Sequence, residues 1–307
     1  LTFGGPTFAG GADKNAPSFM YRASLYYEMK DYIIDYTFRV YRNSYIFPNY
    51  TETGVFAESE YVLDQKQKLQ LSTYILSADK PNQGAVFFTP TLNYTYNTRE
   101  RKNSVNFSGN YVSSEIQLSP AIGKYGANFG LWTISARSDH SLGPFASFGL
   151  ALDAGTSFGS APPKFRLGGT QGWMVSPSVN PYLLEEGANM AINEQILFPT
   201  LQDAAFHQRY SVRGFPVNRL ENGSFVTGSI NLRTYVYGAP TTLFYDIGAA
   251  FNSFDEISVP NGTVLQSLGM SSEYNLIGFP FRVELAYALQ TNFENPFVVM
   301  FAYGTYF

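Results

Sequence analysis

From residue 32 to residue 41 the chain reads YIIDYTFRVY, and every even position is apolar or aromatic: Tyr32, Ile34, Tyr36, Phe38 and Val40. Asp35, Thr37 and Arg39 fall between them. A period of two over ten residues marks a β-strand with two unlike faces. The same alternation recurs along the chain. In 85–97, Val86, Phe88, Leu92, Tyr94 and Tyr96 share one face, and Thr89, Thr91, Asn93, Thr95 and Asn97 share the other. In 281–290, Phe281, Val283, Leu285, Tyr287 and Leu289 oppose Arg282, Glu284, Ala286, Ala288 and Gln290. The chain closes on a stripe of Phe297, Val299, Phe301, Tyr303 and Phe307.

Short polar turns separate these runs: MKD near residue 30, DQKQ at 64–67, ADKPNQG at 78–84 and TRERKN at 98–103. Strands are therefore expected at 1–10, 17–30, 31–46, 51–64, 66–79, 84–98, 102–118, 125–137 and 144–158. Five more are expected at 223–237, 241–253, 263–277, 279–291 and 296–307. The stretch 159–222 reads as a long loop, rich in Gly and Pro, and its apolar piece 187–198 would add a hairpin. The expectation is thus an all-β, antiparallel fold of fourteen to sixteen strands, with sixteen favoured, in one domain over 1–307. Both counts are even, as in single-chain bacterial barrels.

Ten tilted residues cross a bilayer, and strands of soluble sheets are usually only about five or six residues long. Composition points the same way. The chain is 45% hydrophobic but only 14% charged, against roughly a quarter charged in soluble proteins. Aromatic residues make up 17%, with 27 Phe and 23 Tyr, which suits an outer surface belted by aromatic rings. No apolar run is long enough for a membrane helix, so a membrane-spanning form has to be a closed barrel. The soluble alternative is a β-sandwich with a charged outer face. In the barrel reading Tyr32, Ile34, Tyr36, Phe38 and Val40 face lipid, and Asp35 and Arg39 face the lumen. The chain opens LTFGG without Met, the start expected of a processed or trimmed product.

Other chemistry is sparse. There is no cysteine, so no disulfide framework or thiolate metal site is expected. A net charge of −4 with no basic run argues against nucleic acid as a partner. The two histidines are His140 and His207. Asp139, His140 and Ser141 are consecutive, cannot face one another on a strand, and read as a polar turn near strand ends. Asp13, Asp64, Asp79 and Asp203 are placed in loops without the spacing of a metal site. Neither a cofactor nor an enzymatic activity is expected.

The closing strand, with Phe301, Tyr303 and the terminal Phe307, resembles the C-terminal signature of bacterial outer-membrane barrels. A second segment, RYSVRGFPVNRLENG at 209–223, holds Val212, Arg213, Gly214 and Phe215, which resemble the VRGF/Y motif in the sixth extracellular loop of the Omp85 superfamily. Two further stretches match that family. Phe244-Tyr245-Asp246-Ile247-Gly248 resembles its F-x-D-x-G motif in the second strand after the loop. Phe165-Arg166-Leu167-Gly168-Gly169 resembles the F-x-L-G-G stretch leading into the loop, and five strands follow the motif, as in a sixteen-stranded member. The likeness covers roughly 144–307.

This resemblance implies an inward-folded extracellular loop anchored by Arg213 on Asp246. A guanidinium stays charged and can pair bidentately with an inward carboxylate. Gly214 would give the tight turn and Phe215 would pack the tip. Asn231, Arg233, Arg282 and Glu284 would extend the network, partly screened in a watery lumen. Two departures stand out. Gly228-Ser229-Ile230-Asn231 has Asn where the family usually has Glu, and residues 170–210 separate motifs that normally nearly touch.

The resemblance also implies a bacterial outer-membrane location. Its surroundings would be the lipid bilayer and lipopolysaccharide. Its partners would be protein clients or subunits of an outer-membrane complex, with client-receiving periplasmic domains upstream. Three readings stay open. The first is a barrel that helps insert or translocate proteins, using a weak seam near Gly4, Gly5 and Gly304. The second is a passive channel or hydrophobic-solute transporter plugged by 159–222. The third is a structural platform of a larger complex.

Overall fold

The computed structural model describes residues 2–3, 7–9, 18–30, 34–45, 50–80, 83–121, 128–160, 162–169, 174–177, 208–215, 219–257, 263–276, 279–289 and 296–303. Two short pieces come first, β1 (Thr2–Phe3) and β2 (Thr7–Ala9). Then follow β3 (Ser18–Lys30), β4 (Ile34–Tyr45), β5 (Tyr50–Val62), β6 (Gln67–Lys80) and β7 (Gln83–Asn97). After a two-residue strand β8 (Glu100–Arg101) the long strands resume with β9 (Phe107–Ser119), β10 (Phe129–Ser141) and β11 (Ala146–Gly159). Four short strands lie beyond: β12 (Phe165–Leu167), β13 (Met174–Pro177), β14 (Gln208–Tyr210) and β15 (Leu220–Asn222). The last five are β16 (Ser224–Val236), β17 (Ala239–Phe251), β18 (Val264–Leu276), β19 (Phe279–Ala288) and β20 (Phe297–Tyr303).

The long strands pair antiparallel in chain order from β3 to β20. β11 pairs directly with β16, from Ala146 opposite Thr234 to Thr156 opposite Ser224. The stretch between them therefore adds no strand to the sheet at that place. The expected strand 1–10 is instead two pieces, both on β3. Connections at one end span 31–33, 63–66, 98–106, 142–145, 237–238 and 277–278. At the other end they span 46–49, 81–82, 120–128, 160–223, 252–263 and 289–296. The first set is the short-turn end and the second the long-loop end. The turn at 63–66 closes on its own acid: Asp64 Oδ1 accepts from the backbone N–H groups of Lys66 and Gln67 at 2.7 and 2.8 Å.

Burial is inverted relative to a soluble sheet. Leu71, Ile75, Leu92, Leu150, Leu243 and Leu268 are all more than 40% exposed. Between such residues, on the opposite face, Thr89, Gln117, Asp246, Ser267 and Glu284 are buried. A period of two thus sends the apolar set outward and the polar set inward, as the alternation in 85–97 and 281–290 predicts. Soluble monomers rarely expose a stripe of large apolar side chains of this kind.

The inner face is itself divided. Toward the long-loop end Phe87, Phe129, Leu131, Phe225 and Leu265 form one apolar cluster with Phe165, Leu167, Val212 and Phe215 from the loop. Toward the short-turn end the lining is charged. The side chains of Tyr32 to Val40, of Phe301 and Tyr303, and all of Phe307, Gly4, Gly5 and Gly304 lie outside the described residues, as does 187–198.

Candidate functional site at the loop tip

The segment between β11 and β16 folds onto the inner face through a small sheet of its own. β12 pairs parallel with β14, Phe165 opposite Gln208 and Leu167 opposite Tyr210. On its other side β12 pairs antiparallel with β15, Phe165 opposite Asn222. Aromatic contacts seat this sheet on the wall: Tyr210 stacks on Phe225 with centroids 3.9 Å apart, and Phe165 lies 4.7 Å from the same ring. Lys164 and Arg166 both bind Glu221 across the sheet, at 2.9 and 2.8 Å.

The separated motifs meet here. Gly168 N–H donates to the Tyr210 carbonyl and Gly169 N–H to the Phe215 carbonyl, at 3.1 and 3.0 Å. Gly169 also bridges Val212. The residues between the two motifs leave from one strand of a pair and return into the other, so their number does not disturb the contact.

Burial raises the Glu221 carboxyl, but the Lys164 hydrogen bond and the Arg166 charge outweigh it, and the group titrates below 4.5. A carboxylate with a lowered folded pKa contributes stability above its unfolded pKa and loses it as pH falls through the folded one. Amide-exchange protection of Phe165–Leu167, corrected for intrinsic rate, is expected to fall as pH drops below 4.5. Glu221→Gln should flatten that dependence, and an unchanged pH profile in the variant would sink the assignment.

Beyond β14 the chain turns at 213–214 and presents Arg213 to β16 and β17. Arg213 Nε donates to Asp246 Oδ2 and Nη2 to Oδ1, both at 2.6 Å. The Arg213 backbone N–H adds a bond to Oδ2 at 3.1 Å. Nη2 also reaches Ser229 Oγ and Asn231 Oδ1, each at 3.0 Å. Ser229 stands opposite Asp246 in the ladder and donates to it at 2.6 Å. Asn231 in turn donates to Ser229 Oγ at 3.0 Å. Asn231 thus contributes an acceptor without a second negative charge.

The Phe244 ring lies 3.6 Å from the guanidinium carbon, a cation–π stack that covers one face of the pair. Arg213 and Asp246 side chains are 6% and 5% exposed. The pair is thus largely buried, as are Val212 and Phe215 of the loop tip at 0% and 1% exposure.

Two glycines make the approach fit. Gly214 has φ +84°, and a Cβ there would stand 2.9 Å from Ala286 Cβ and 3.3 Å from Ser267 Cβ. At Gly248 a Cβ would stand 2.7 Å from Val212. Arg282 and Glu284 lie buried on the same inner face of β19 and pair with each other at 2.8 Å.

Arg233 goes elsewhere. Its expected place is in the Arg213 network, but its Nη1 binds Asp139 Oδ1 at 2.6 Å. Arg99, from the 98–106 connection, binds Asp139 Oδ2 at 2.7 Å. Asp139 is thus not in a turn: it ends the inward stripe of β10 and joins a strand and a connection at the short-turn end. Phe107 carries Arg101 at 5.4 Å and Arg233 at 4.8 Å. Asn103 and Asn106 tie the 98–106 connection to the Pro144 and Gly143 carbonyls, both at 2.7 Å.

Sequence reasoning missed this cluster because it ended the strand at 137. Carrying the alternation to 141 puts Asp139 on the face of Ser135 and Arg137. Asp139→Ala should free Arg99 and speed tryptic cleavage at Arg99 and Arg101 several-fold, with cleavage at Lys164 unchanged as the control. Equal cleavage in both proteins would refute the anchoring role.

Between the loop tip and this cluster lies a cavity of about 150 Å³, lined by Arg99, Arg101, Asp139, Asp153, Arg213 and Arg233 among others. Among the described residues no group of three metal-ligating side chains occurs.

The chain matches the crystal structure of BamA from Haemophilus ducreyi lacking POTRA domains 1–3, with a TM-score of 0.61 and 9% identity, over 92% of this chain and 62% of that one. CdiB from Acinetobacter baumannii also matches, with a TM-score of 0.39 and 11% identity, over 92% of this chain and 56% of that one. No family model and no curated protein matches the chain. The likeness to the BamA structure is one of fold. The chain spans under two thirds of the BamA chain it matches.

Proposed function

We propose that this chain is the membrane-spanning barrel of an Omp85-superfamily protein in the bacterial outer membrane, and that it assists insertion or translocation of proteins. The observation that carries the reading is the bidentate Arg213–Asp246 pair at the tip of an inward loop, within a BamA-like fold. The exposed apolar belt supports lipid contact on the outer face. Leucines and isoleucines more than a third exposed on successive strands suit hydrocarbon, where the backbone of a paired sheet is already satisfied.

Catalysis of a covalent step forms no part of this function. The buried pair fixes a loop, and the Ser229 hydroxyl is taken up in holding it. The work is positional, in that a rigid loop sets the shape of the inner face and of the wall strands β16 and β17.

The passive-channel reading is weaker. The apolar cluster built from Phe165, Leu167, Val212, Phe215 and Phe225 fills the inner face toward the long-loop end, whereas a conducting path needs a wet, polar lining. The test is Arg213→Ala in cells that depend on this chain. The proposal expects outer-membrane or secreted client proteins to fall while the barrel itself is still inserted. Normal client levels, together with a large stable conductance in planar bilayers, would replace it with the channel reading. Normal clients without conductance, and loss of bound complex subunits on removing the barrel, would favour a structural platform.

A further inference from the structure

The edges of the long sheet are covered by the chain's own short strands, and the two edges are covered differently. At the first edge β3 carries β1 and β2, which directly precede it. At the last edge β20 pairs with β19 on one side and with β13 on the other. β13 does not come from either end of the chain. It comes from the segment between the two loop motifs, far before β20 in sequence.

The register is antiparallel: Met174 opposite Tyr303, Val175 opposite Ala302, Ser176 opposite Phe301 and Pro177 opposite Met300. No ladder between β20 and β3 occurs among the described residues.

Gly169 bridges Val212 beside the buried Arg213. Met174, five residues on, is already on the β20 edge. Five residues reach at most about 17 Å. The loop tip and the last edge are therefore joined by a short tether. The β13 ladder is also short among the described residues. It has four residues, against seven in β20 and ten in β19. Its last described residue is Pro177, which has no N–H to offer the ladder. A brief edge strand that carries proline is how a sheet covers an edge without committing it to a long pairing.

We infer that residues 174–177 are a resident capping strand. They occupy the free edge of β20 with this chain's own backbone and hold it closed to other strands until they are displaced. An incoming segment would be recognised as an extended strand running antiparallel to β20, by main-chain hydrogen bonds rather than by charge. That last step rests on the insertion or translocation reading; the occupancy of the edge does not.

The absence of native cysteine makes the test clean. Directly opposed residues in an antiparallel ladder alternate between wide and close pairs, and the close kind suits a disulfide. Val175→Cys with Ala302→Cys, and separately Ser176→Cys with Phe301→Cys, cover both kinds in adjacent rungs. The full chain is expressed in membranes, oxidised and mapped by peptide mass spectrometry. Ser113→Cys with Ser135→Cys and Ser114→Cys with Ile134→Cys, adjacent rungs opposed across β9 and β10, serve as folding controls. One of the two 174–177 pairs is expected to link in most molecules.

Failure of both, with one of the two adjacent control rungs linked, overturns the capping strand. Efficient linkage in a third double variant, Ala302→Cys with Ser24→Cys on β3, would overturn it too, by showing that the last edge closes on the first. Client levels under the oxidised clamp then read the second step. A several-fold drop, reversed by reductant, supports displacement of the cap; unchanged client levels with an efficient link reject it. Neither outcome depends on Arg213, whose variant tests the functional reading by itself.

Discussion

Arg213→Ala is expected to release the loop tip from the wall and to cost the protein most of its function. Asp246 is 3% exposed with the tip in place, so without Arg213 its charge is uncompensated until the tip lifts. Breaking a buried pair by removing one partner costs about 3–5 kcal/mol, because the other charge is stranded. Ser229 still donates to Asp246, so part of that cost is relieved, but the four hydrogen bonds from the Arg213 side chain vanish. Arg213→Lys keeps the charge and loses the fork: one ammonium cannot serve both carboxylate oxygens, Ser229 and Asn231 in the same plane. Its effect should therefore lie between wild type and alanine, both in urea-induced unfolding in detergent and in client levels.

The double change Arg213→Ala with Asp246→Ala separates stability from function. It removes both charges at once, so its unfolding midpoint should recover toward wild type by more than additivity allows. Its client defect should remain, because the tip is still unanchored. A double variant less stable than either single one would mean that the two residues do not act as a pair.

The sheet was legible from the sequence because period-two alternation is written into every long strand and the turns between them are polar and short. Asp246 was placed inward by that alternation alone, since Leu243, Tyr245 and Ile247 take the opposite face, and its side chain is buried. What alternation cannot carry is contact between segments distant in sequence. The parallel pairing of β12 with β14 joins residues more than forty apart, and nothing periodic announces it. Arg233 shows the same limit. The resemblance put it in the Arg213 network, but nothing in the sequence tells whether it turns toward Asp246 or toward Asp139. That choice depends on the 98–106 connection, which brings Arg99 and Phe107 to the short-turn end. The edge pairing of β13 was illegible for a further reason. Four residues ending in proline carry too little pattern to be read as a strand, and only a partner edge defines them.

Gly214→Val should be the most damaging change that removes no charge. The residue sits at φ +84°, where a β-branched side chain is strained by about 1–2 kcal/mol. Its Cβ would also stand 2.9 Å from the Ala286 Cβ on β19, and neither backbone can yield without moving the wall. The simplest relief is for the tip to back away from β18 and β19, which draws Arg213 off Asp246. Trypsin reads this directly. The peptide bond after Arg213 is buried in the wild type and becomes cleavable once the tip lifts, so the variant should be cut there many times faster. Space and strain can be told apart by a pair of milder changes. Gly214→Ala alone should lift the tip partially. Adding Ala286→Gly removes the atom that the new methyl meets first and should restore protection at Arg213, leaving only the backbone strain as a small loss of stability. If Ala286→Gly restores nothing, the backbone angle rather than the close approach to β19 is what requires glycine at this turn.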